Sequence, residues 1–493
     1  MIKKVFMRGL VSGLVVKILS MVILFFSIPL FIKYFGTESY GSLVTVTAFT
    51  SFLSLLNLGV PNAISTIGMQ LARESKVNKL FNFTFPTYLA YTAIVLVILF
   101  LLGMLFRHYI ENNILKVPFS LPIYFLAILY VCSNSILAYM QAIYSALHKI
   151  DIANIYAGIL TLLPILSLFI VINHNGDVVF YFQILACLNL GLGILSFLLY
   201  LCNKAAEQPD LSQSDLVRLS KRNIAVTAIT ATAITVVSLV INQFDTLVVS
   251  YYLSKDVVVQ YSILNKVVTI ESMSYGLVFS SILPLLSNWF AEKNYDLIQQ
   301  AHEKMLVLMS IIGGAVIIGN MLFFELFVSA WVDHSVFAGY LPIILYSIFS
   351  YFSSLYSVNY ITYSSFNIGR KLMIFAAIVE PTIKIILTLY LTSKYGLIGT
   401  LLSVVLLAVL VTFPMTSWFL TKLSGGQITM SFHFILKHFG LAILPFMLMA
   451  SVLSEQGVFI RLILLTLYLL TSWLLISKKD RLFLTYLLKN KNA

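Results

Sequence analysis

Three ionisable side chains interrupt the apolar stretch between Arg222 and Leu286. Asp245, Lys266 and Glu271 lie where a membrane helix would otherwise carry hydrocarbon side chains. A charge near the bilayer centre costs about 2.5 to 3.5 kcal/mol on insertion scales, so such residues normally face a bundle interior or a wet cavity. The stretch therefore predicts two helices that line a polar path.

Polar residues beside these charges follow the period of a helix. They are Thr235, Ser238, Asn242 and Asp245 in the first helix, and Ser262, Asn265, Thr269 and Ser272 in the second. Spacings of three and four residues place each set on one helix face. Asp245 and Lys266 lie at similar depths from a shared outer turn near Lys255, so they are able to pair. Such a pair would line the cavity or simply join two helices.

A longer polar face follows the span predicted from Tyr340. Its members are Tyr346, Ser350, Ser353, Ser357, Tyr360 and Ser364. Single hydroxyls in membrane helices often bond only to their own backbone or to a neighbouring helix. A stripe of about five turns, however, suits a glycan, because Tyr rings have an apolar body for stacking and a polar tip for sugar hydroxyls. A thinner stripe in the fourth span contains Asn134.

Charged residues also lie in the first and eleventh predicted spans. Glu380 and Lys384 are four residues apart and share a helix face, and Pro381 beside them favours a kink. We predict a substrate cavity lined by Lys17, Asn134, Asn242, Asp245, Lys266, Glu271, Tyr346, Tyr360, Glu380 and Lys384. Of these, Lys17, Glu271, Glu380 and Lys384 are the stronger candidates for contacting a head group or carrying a coupling proton.

The composition identifies the class of protein. The 493 residues are 60% hydrophobic and 10% charged, whereas soluble domains carry about 25% charged residues. A crossing helix needs about 20 apolar residues. The sequence therefore predicts an all-α, polytopic membrane protein with about fourteen spans, which begin near Leu10, Ser42, Phe85, Leu121, Ile152, Val178, Ile224, Val257, Met305, Tyr340, Leu372, Leu397, Phe434 and Val458.

Basic residues set the predicted orientation. Most of the 31 Lys and Arg residues fall in segments that are cytoplasmic if Met1 is inside, as the positive-inside rule requires. Both termini are then cytoplasmic, and the formal charge of +12 gives no reason to expect a nucleic-acid partner. Arg8, Arg222 and Arg370 lie at cytoplasmic span ends, where guanidinium forks suit a pyrophosphate. The alternative is that they only anchor the topology.

Motifs for metal or nucleotide chemistry are absent from the sequence. The three Cys residues fall in or beside apolar spans, and the seven His residues have no metal-ligand spacing. No GxxxxGK[ST], HExxH or GxSxG motif is present. We therefore expect no enzymatic activity, no metal and no cofactor, and we leave coupling to a proton or sodium gradient open.

Landmarks recur at an offset of about 220 residues. Arg8 matches Arg222, Pro61 matches Pro284, Gly176 matches Gly396, and the turn at 34–41 matches the turn at 252–261. Six spans separate the copies, so the repeat is parallel and its pseudo-two-fold axis lies along the membrane normal. We predict an N-lobe at 1–203 (helices 1–6), a cytoplasmic linker at 204–223, a C-lobe at 224–423 (helices 7–12), and an appendage of two helices with a basic tail at 424–493.

Four segments carry a resemblance to a known family. They are Tyr34-Phe35-Gly36 to Gly41, Leu56-Asn57-Leu58-Gly59, Ser145-Ala146-Leu147-His148-Lys149, and Lys394-Tyr395-Gly396-Leu397-Ile398-Gly399. In these the chain resembles the Wzx-type polysaccharide flippases of the multidrug/oligosaccharidyl-lipid/polysaccharide exporter superfamily. The resemblance implies two six-helix lobes around a central cavity and alternating access. It also implies undecaprenyl-pyrophosphate-linked oligosaccharide as cargo, moved across the bacterial inner membrane for O-antigen or capsule assembly.

The resemblance leaves competing functions open. Lipid II flippases of the same superfamily have fourteen helices, which matches the predicted count. A drug or cation antiporter would share the fold but would typically have a more acidic cavity than the mixed charges found here. A membrane glycosyltransferase or O-antigen polymerase is a distant alternative, because it usually needs a sizeable periplasmic loop. A polysaccharide polymerase and a chain-length regulator are candidate partners, besides the membrane lipids.

Overall fold

A computed structural model describes residues 2–53, 59–71, 74–105, 120–147, 149–202, 221–364, 370–428, 432–453 and 456–475. Apart from short turns, these residues are helical, which confirms the predicted all-α class. The first seven helices are α1 (Ile2–Leu53), α2 (Val60–Leu71), α3 (Glu74–Leu105), α4 (Ser120–Ala146), α5 (Ile150–Asn173), α6 (Val178–Cys202) and α7 (Lys221–Tyr252). The next five are α8 (Lys255–Ala291), α9 (Tyr295–Trp331), α10 (Tyr340–Ser364), α11 (Arg370–Leu407) and α12 (Phe413–Leu423). The last three are α13 (Phe432–His438), α14 (Leu444–Leu453) and α15 (Val458–Leu475).

The helices account for the predicted spans. Every predicted start residue, from Leu10 to Val458, lies in a helix. Within the described part of the chain, 10 helical stretches are long and apolar enough to cross a membrane. Segments of π-helix at Ala408–Thr412 and Phe439–Ile443 connect α11 to α12 and α13 to α14. The chain is therefore a multi-pass membrane protein.

Two glycines break helices that would otherwise be continuous. In α1, Gly36 has φ 80° and ψ 167°, and in α11, Gly396 has φ 58° and ψ −137°. Residues with a Cβ rarely adopt a positive φ, so a single Gly can redirect the chain without a long loop. At the first break the Tyr34 hydroxyl donates to the Val171 and Gly176 carbonyls, at 3.3 and 3.0 Å. The turn predicted at 34–41 is thus confirmed.

The chain divides into two compact units, Met1–Val259 and Gln260–Ala493. In the first unit, α4 packs against α2, α3 and α6, while α7 packs against α1 and α2. The contact of α1 with α7 includes a buried hydrogen bond of 2.9 Å between Thr45 and Ser250. The unit boundary falls within α8. The lobe boundaries inferred from the repeat stay a prediction, and most of the predicted linker at 204–223 lies outside the described residues.

In the second unit, α9 packs against α10 and against the C-terminal helices α13, α14 and α15. One apolar core joins them, with Ile318 and Leu322 of α9 beside Ile443, Leu464 and Tyr468. The C-terminal helices therefore share the core of this unit. The predicted division into a C-lobe at 224–423 and an appendage at 424–493 stays a prediction.

Candidate functional site

Three helices of the second unit bring polar side chains together. Glu271 of α8 accepts hydrogen bonds through both carboxylate oxygens. The Asn320 amide of α9 donates to Oε1 over 3.1 Å, and the Ser350 hydroxyl of α10 donates to Oε2 over 2.6 Å. The Asn320 amide also donates to Ser347 Oγ over 3.0 Å. The carboxylate is therefore held by two neighbouring helices.

A second contact lies one and a half turns earlier on α8. The Tyr346 hydroxyl of α10 donates to Asn265 Oδ1 over 2.9 Å. The Tyr346 ring stacks on Phe349 and also packs against Tyr261 of α8, with centroids 5.6 and 6.2 Å away. We call the set Asn265, Glu271, Asn320, Tyr346, Ser347 and Ser350 the polar cluster. It joins the stripes that the sequence predicted for the eighth and tenth spans.

The α9 and α10 residues of the polar cluster lie well inside helices that are long and apolar enough to cross a membrane. Ser350 is ten residues into α10 and Asn320 is eleven residues before the end of α9. At 1.5 Å per residue these are about 15 to 17 Å from the helix ends, or half of a hydrocarbon core of about 30 Å. Ser347 and Ser350 are buried, whereas Glu271 and Asn320 are partly exposed. A partly exposed carboxylate at this depth needs a polar surrounding.

The predicted pair of α11 lies in a separate buried site. Glu380 and Lys384 are 4% and 0% exposed. The Thr412 side chain, in the π-helical segment between α11 and α12, is hydrogen-bonded with the Glu380 carboxylate. A π-helical turn inside an α-helix is often found at functional positions. The role of both residues in transport and their pairing with each other stay predictions.

Aromatic side chains extend the face of α10 beyond the polar cluster. Tyr360 is 42% exposed, and its ring lies 6.1 Å from Tyr356 and 5.4 Å from Tyr363. Tyr363 is buried. Tyr360 thus has an accessible ring with a hydroxyl at its edge, and its contact with a sugar stays a prediction.

The first unit contains three of the predicted cavity residues. Asn134 of α4 is half-buried, Asn242 of α7 is exposed, and Asp245 of α7 is buried. None of the three lies in the polar cluster. Asp245 and Lys266 belong to different compact units, so their pairing stays a prediction.

Four predicted basic residues have side chains outside the described part of the structure. Lys17 and Arg8 lie along α1, Arg222 is the second residue of α7, and Arg370 is the first residue of α11. Arg222 and Arg370 are therefore at helix ends, as predicted. Their role at a pyrophosphate stays a prediction.

Asn320 was not among the site residues predicted from the sequence. It is the only polar residue between Gly314 and Phe324, so it belongs to no stripe. A lone amide in an apolar membrane span was nevertheless a usable signal, because polar side chains there tend to hydrogen-bond across helices.

A second buried network that the sequence did not predict joins the C-terminal helices to α9. His438 Nδ1 is 3.0 Å from Ser310 Oγ, and His438 Nε2 is 3.0 Å from Ser472 Oγ. Ser310 is also hydrogen-bonded with the Tyr351 hydroxyl over 2.7 Å. The network is fully buried, and it connects α9, α10, α13 and α15.

The polar cluster is suited to binding a polar ligand. It contains hydroxyls, amides and one carboxylate, which are groups that hydrogen-bond to sugars. Among the described residues, no group of three or more His, Cys, Asp or Glu side chains could hold a metal ion.

Comparison with solved structures identifies the fold. A lipid II flippase MurJ in an inward closed conformation aligns with a TM-score of 0.66 at 15% identity, covering 94% of this chain and 97% of that chain. An inward-facing multidrug resistance MATE family transporter of the MOP superfamily aligns with a TM-score of 0.58 at 13% identity, covering 85% and 99%. A MOP superfamily transporter from Pyrococcus furiosus, described as having a binding pocket of reverse polarity, aligns with a TM-score of 0.55 at 14% identity, covering 87% and 97%. The chain therefore has the MOP-superfamily transporter fold.

A family assignment comes from the sequence itself. The family model described as polysaccharide biosynthesis protein matches residues 6–290. This is more than half of the chain, and the chain belongs to that family. A search of curated protein sequences finds no match.

Proposed function

We propose that this protein is a flippase for undecaprenyl-pyrophosphate-linked oligosaccharides. In this proposal, repeat units made on the cytoplasmic leaflet are moved to the outer leaflet of the bacterial inner membrane by alternating access, for O-antigen or capsule assembly. Both termini are cytoplasmic. The protein is a transporter and not an enzyme.

The polar cluster is the observation that supports this proposal most strongly. A membrane protein of the polysaccharide biosynthesis family needs a polar site deep in the bilayer if a hydrophilic glycan is to cross. Glu271, Asn320 and the hydroxyls of α10 provide such a site near mid-membrane. The exposed Tyr360 ring adds a surface on which a sugar can stack.

Deletion of the gene tests the proposed cargo. We expect the deletion strain to lose surface polysaccharide and to accumulate lipid-linked repeat units on the cytoplasmic face. Their synthesis continues in this strain, but they are no longer moved to the outer leaflet. Complementation by the wild-type gene should reverse both effects, and a strain without a second flippase is the proper host. Normal surface polysaccharide in that strain would contradict the proposal.

Lipid II is the second candidate cargo. The alignment with the lipid II flippase covers nearly the whole of both chains, and the described helices include the two that follow the twelfth predicted span. Depletion of a host's own lipid II flippase distinguishes the two cargoes. Rescue of growth by this protein supports lipid II, whereas rescue of surface polysaccharide alone supports an oligosaccharide repeat unit.

A gradient of protons or sodium ions is the proposed source of energy. Glu380 and Lys384 are buried charges, and Glu271 is a partly exposed carboxylate in the membrane. Such groups are suited to carry a coupling ion. A polysaccharide polymerase and a chain-length regulator remain candidate partners, because they would receive the product of transport.

A further inference from the structure

The hydrogen bonds around Glu271 determine which donors and acceptors remain for a ligand. An ionised carboxylate has about four acceptor positions on its two oxygens. Asn320 and Ser350 use one position on each oxygen. The partly exposed carboxylate therefore keeps acceptor capacity on both oxygens.

The hydrogen-bond donors and acceptors around Asn320 also fix the orientation of its amide. Its nitrogen has two N–H donors, and these are directed at Glu271 Oε1 and Ser347 Oγ, at 3.1 and 3.0 Å. Rotation of the amide by half a turn would place its oxygen against the carboxylate oxygen, which is unfavourable because both are acceptors. Asn320 therefore presents its carbonyl oxygen as the group that remains for a ligand.

Both groups that face a ligand are acceptors, and they are adjacent. The Asn320 carbonyl oxygen belongs to the amide whose nitrogen donates to Glu271 Oε1, so one amide group lies between the two acceptors. A matching ligand must offer two neighbouring donors that are themselves close together. The vicinal hydroxyls of a sugar ring have this geometry, and each hydroxyl can donate one hydrogen bond.

We propose that Glu271 and Asn320 form a binding site for a vicinal diol of the glycan, with one sugar hydroxyl donating to each side chain. This inference rests on the proposed function and names the feature of the cargo that the polar cluster recognises. Hydroxyl donation to a carboxylate is stronger than donation to a neutral oxygen, so Glu271 contributes the larger share of the recognition. A lipid pyrophosphate without sugar has no group for this site.

A thermodynamic cycle tests the diol site. The probe is the lipid-linked repeat unit extracted from the deletion strain, compared with the same material after periodate oxidation and borohydride reduction, which cleave vicinal diols. Binding is measured with the purified full-length protein in lipid nanodiscs. The measured quantity is the affinity for the untreated glycolipid divided by the affinity for the treated glycolipid. We expect this ratio to be tenfold or more for the wild type and less than threefold for Glu271→Gln, because the variant lacks the charged acceptor.

Glu303→Gln is the matched control, because Glu303 is an exposed carboxylate of α9 bonded to Gln299 over 2.7 Å and outside the polar cluster. It should keep the wild-type ratio. Size-exclusion profiles and Tm values show whether each variant is folded. An equal ratio in wild type and Glu271→Gln would overturn the diol site and leave the proposed function standing. A wild-type protein that does not bind the untreated glycolipid would contradict the proposed function and the diol site together.

Discussion

At the residue scale, the candidate site was predictable where polar residues repeat and unpredictable where a residue stands alone. Glu271, Tyr346 and Ser350 were found from charge and spacing, and the structure joins them in one cluster. Asn320 was missed because nothing in its own helix marks it. Its role depends on which helices pack beside α9, and this information is not contained in local spacing.

Arginine residues at span ends that the sequence predicts to be cytoplasmic provide a prediction at the same scale. Replacing Arg8, Arg222 and Arg370 together by Lys keeps the charge that fixes topology but removes the guanidinium forks. Because Lys cannot form the paired hydrogen bonds that bind a pyrophosphate, we expect transport to fall at least tenfold at unchanged protein level. Surface polysaccharide measured at matched expression provides the readout.

Arg218→Lys is the control for this experiment, because Arg218 lies in the predicted linker and is not one of the three arginines proposed to bind the pyrophosphate. It should transport normally. Full transport by the triple variant would reject the pyrophosphate role and leave these residues as topology anchors.

At the element scale, helix breaks were easier to predict than helix contacts. The turn at 34–41 was predicted, and Gly396 was singled out as a landmark of the repeat. Both are now explained by a single Gly with a positive φ. The sharing of one core by α9 and the C-terminal helices was not predicted, because apolar stretches in a membrane protein have no pattern that separates lipid contact from helix contact.

The second break leads to a stability prediction. After Gly396 the chain turns back so tightly that a Cβ at Gly399 would clash with the Leu391 carbonyl oxygen. The two segments are also joined by hydrogen bonds of 2.9 Å between Thr388 and Ser403 and 2.8 Å between Thr392 and Thr400. Gly399→Ala should therefore lower Tm or abolish folded protein, because the obstacle is backbone and cannot rotate away.

Gly191→Ala makes the same change at a helical position of α6 where a Cβ meets no atom within 4 Å. Ala is favoured over Gly in a helix by up to about 1 kcal/mol, so this variant should keep or raise Tm. If the Gly399→Ala protein were as stable as the Gly191→Ala protein, Gly399 would not lie as close to the Leu391 carbonyl oxygen as the structure indicates.

At the scale of the whole molecule, composition and charge placement were sufficient for the class of protein. The all-α membrane fold follows from apolar stretches of about 20 residues, and the family match over residues 6–290 agrees with it. The glycan is not determined by such features, because the hydroxyls and amides that contact a sugar are common in membrane helices. Recognition depends on the three-dimensional grouping of a few side chains.

Translocation in a purified system tests the central claim most directly. The full-length protein is reconstituted into liposomes whose inner leaflet contains the lipid-linked repeat unit, and the glycan that reaches the outer surface is measured with a sugar-binding lectin. We expect glycan to appear at the surface with the protein and not in protein-free liposomes, and Glu271→Gln should slow its appearance. Equal rates with and without the protein, in liposomes shown to contain folded protein, would contradict the account.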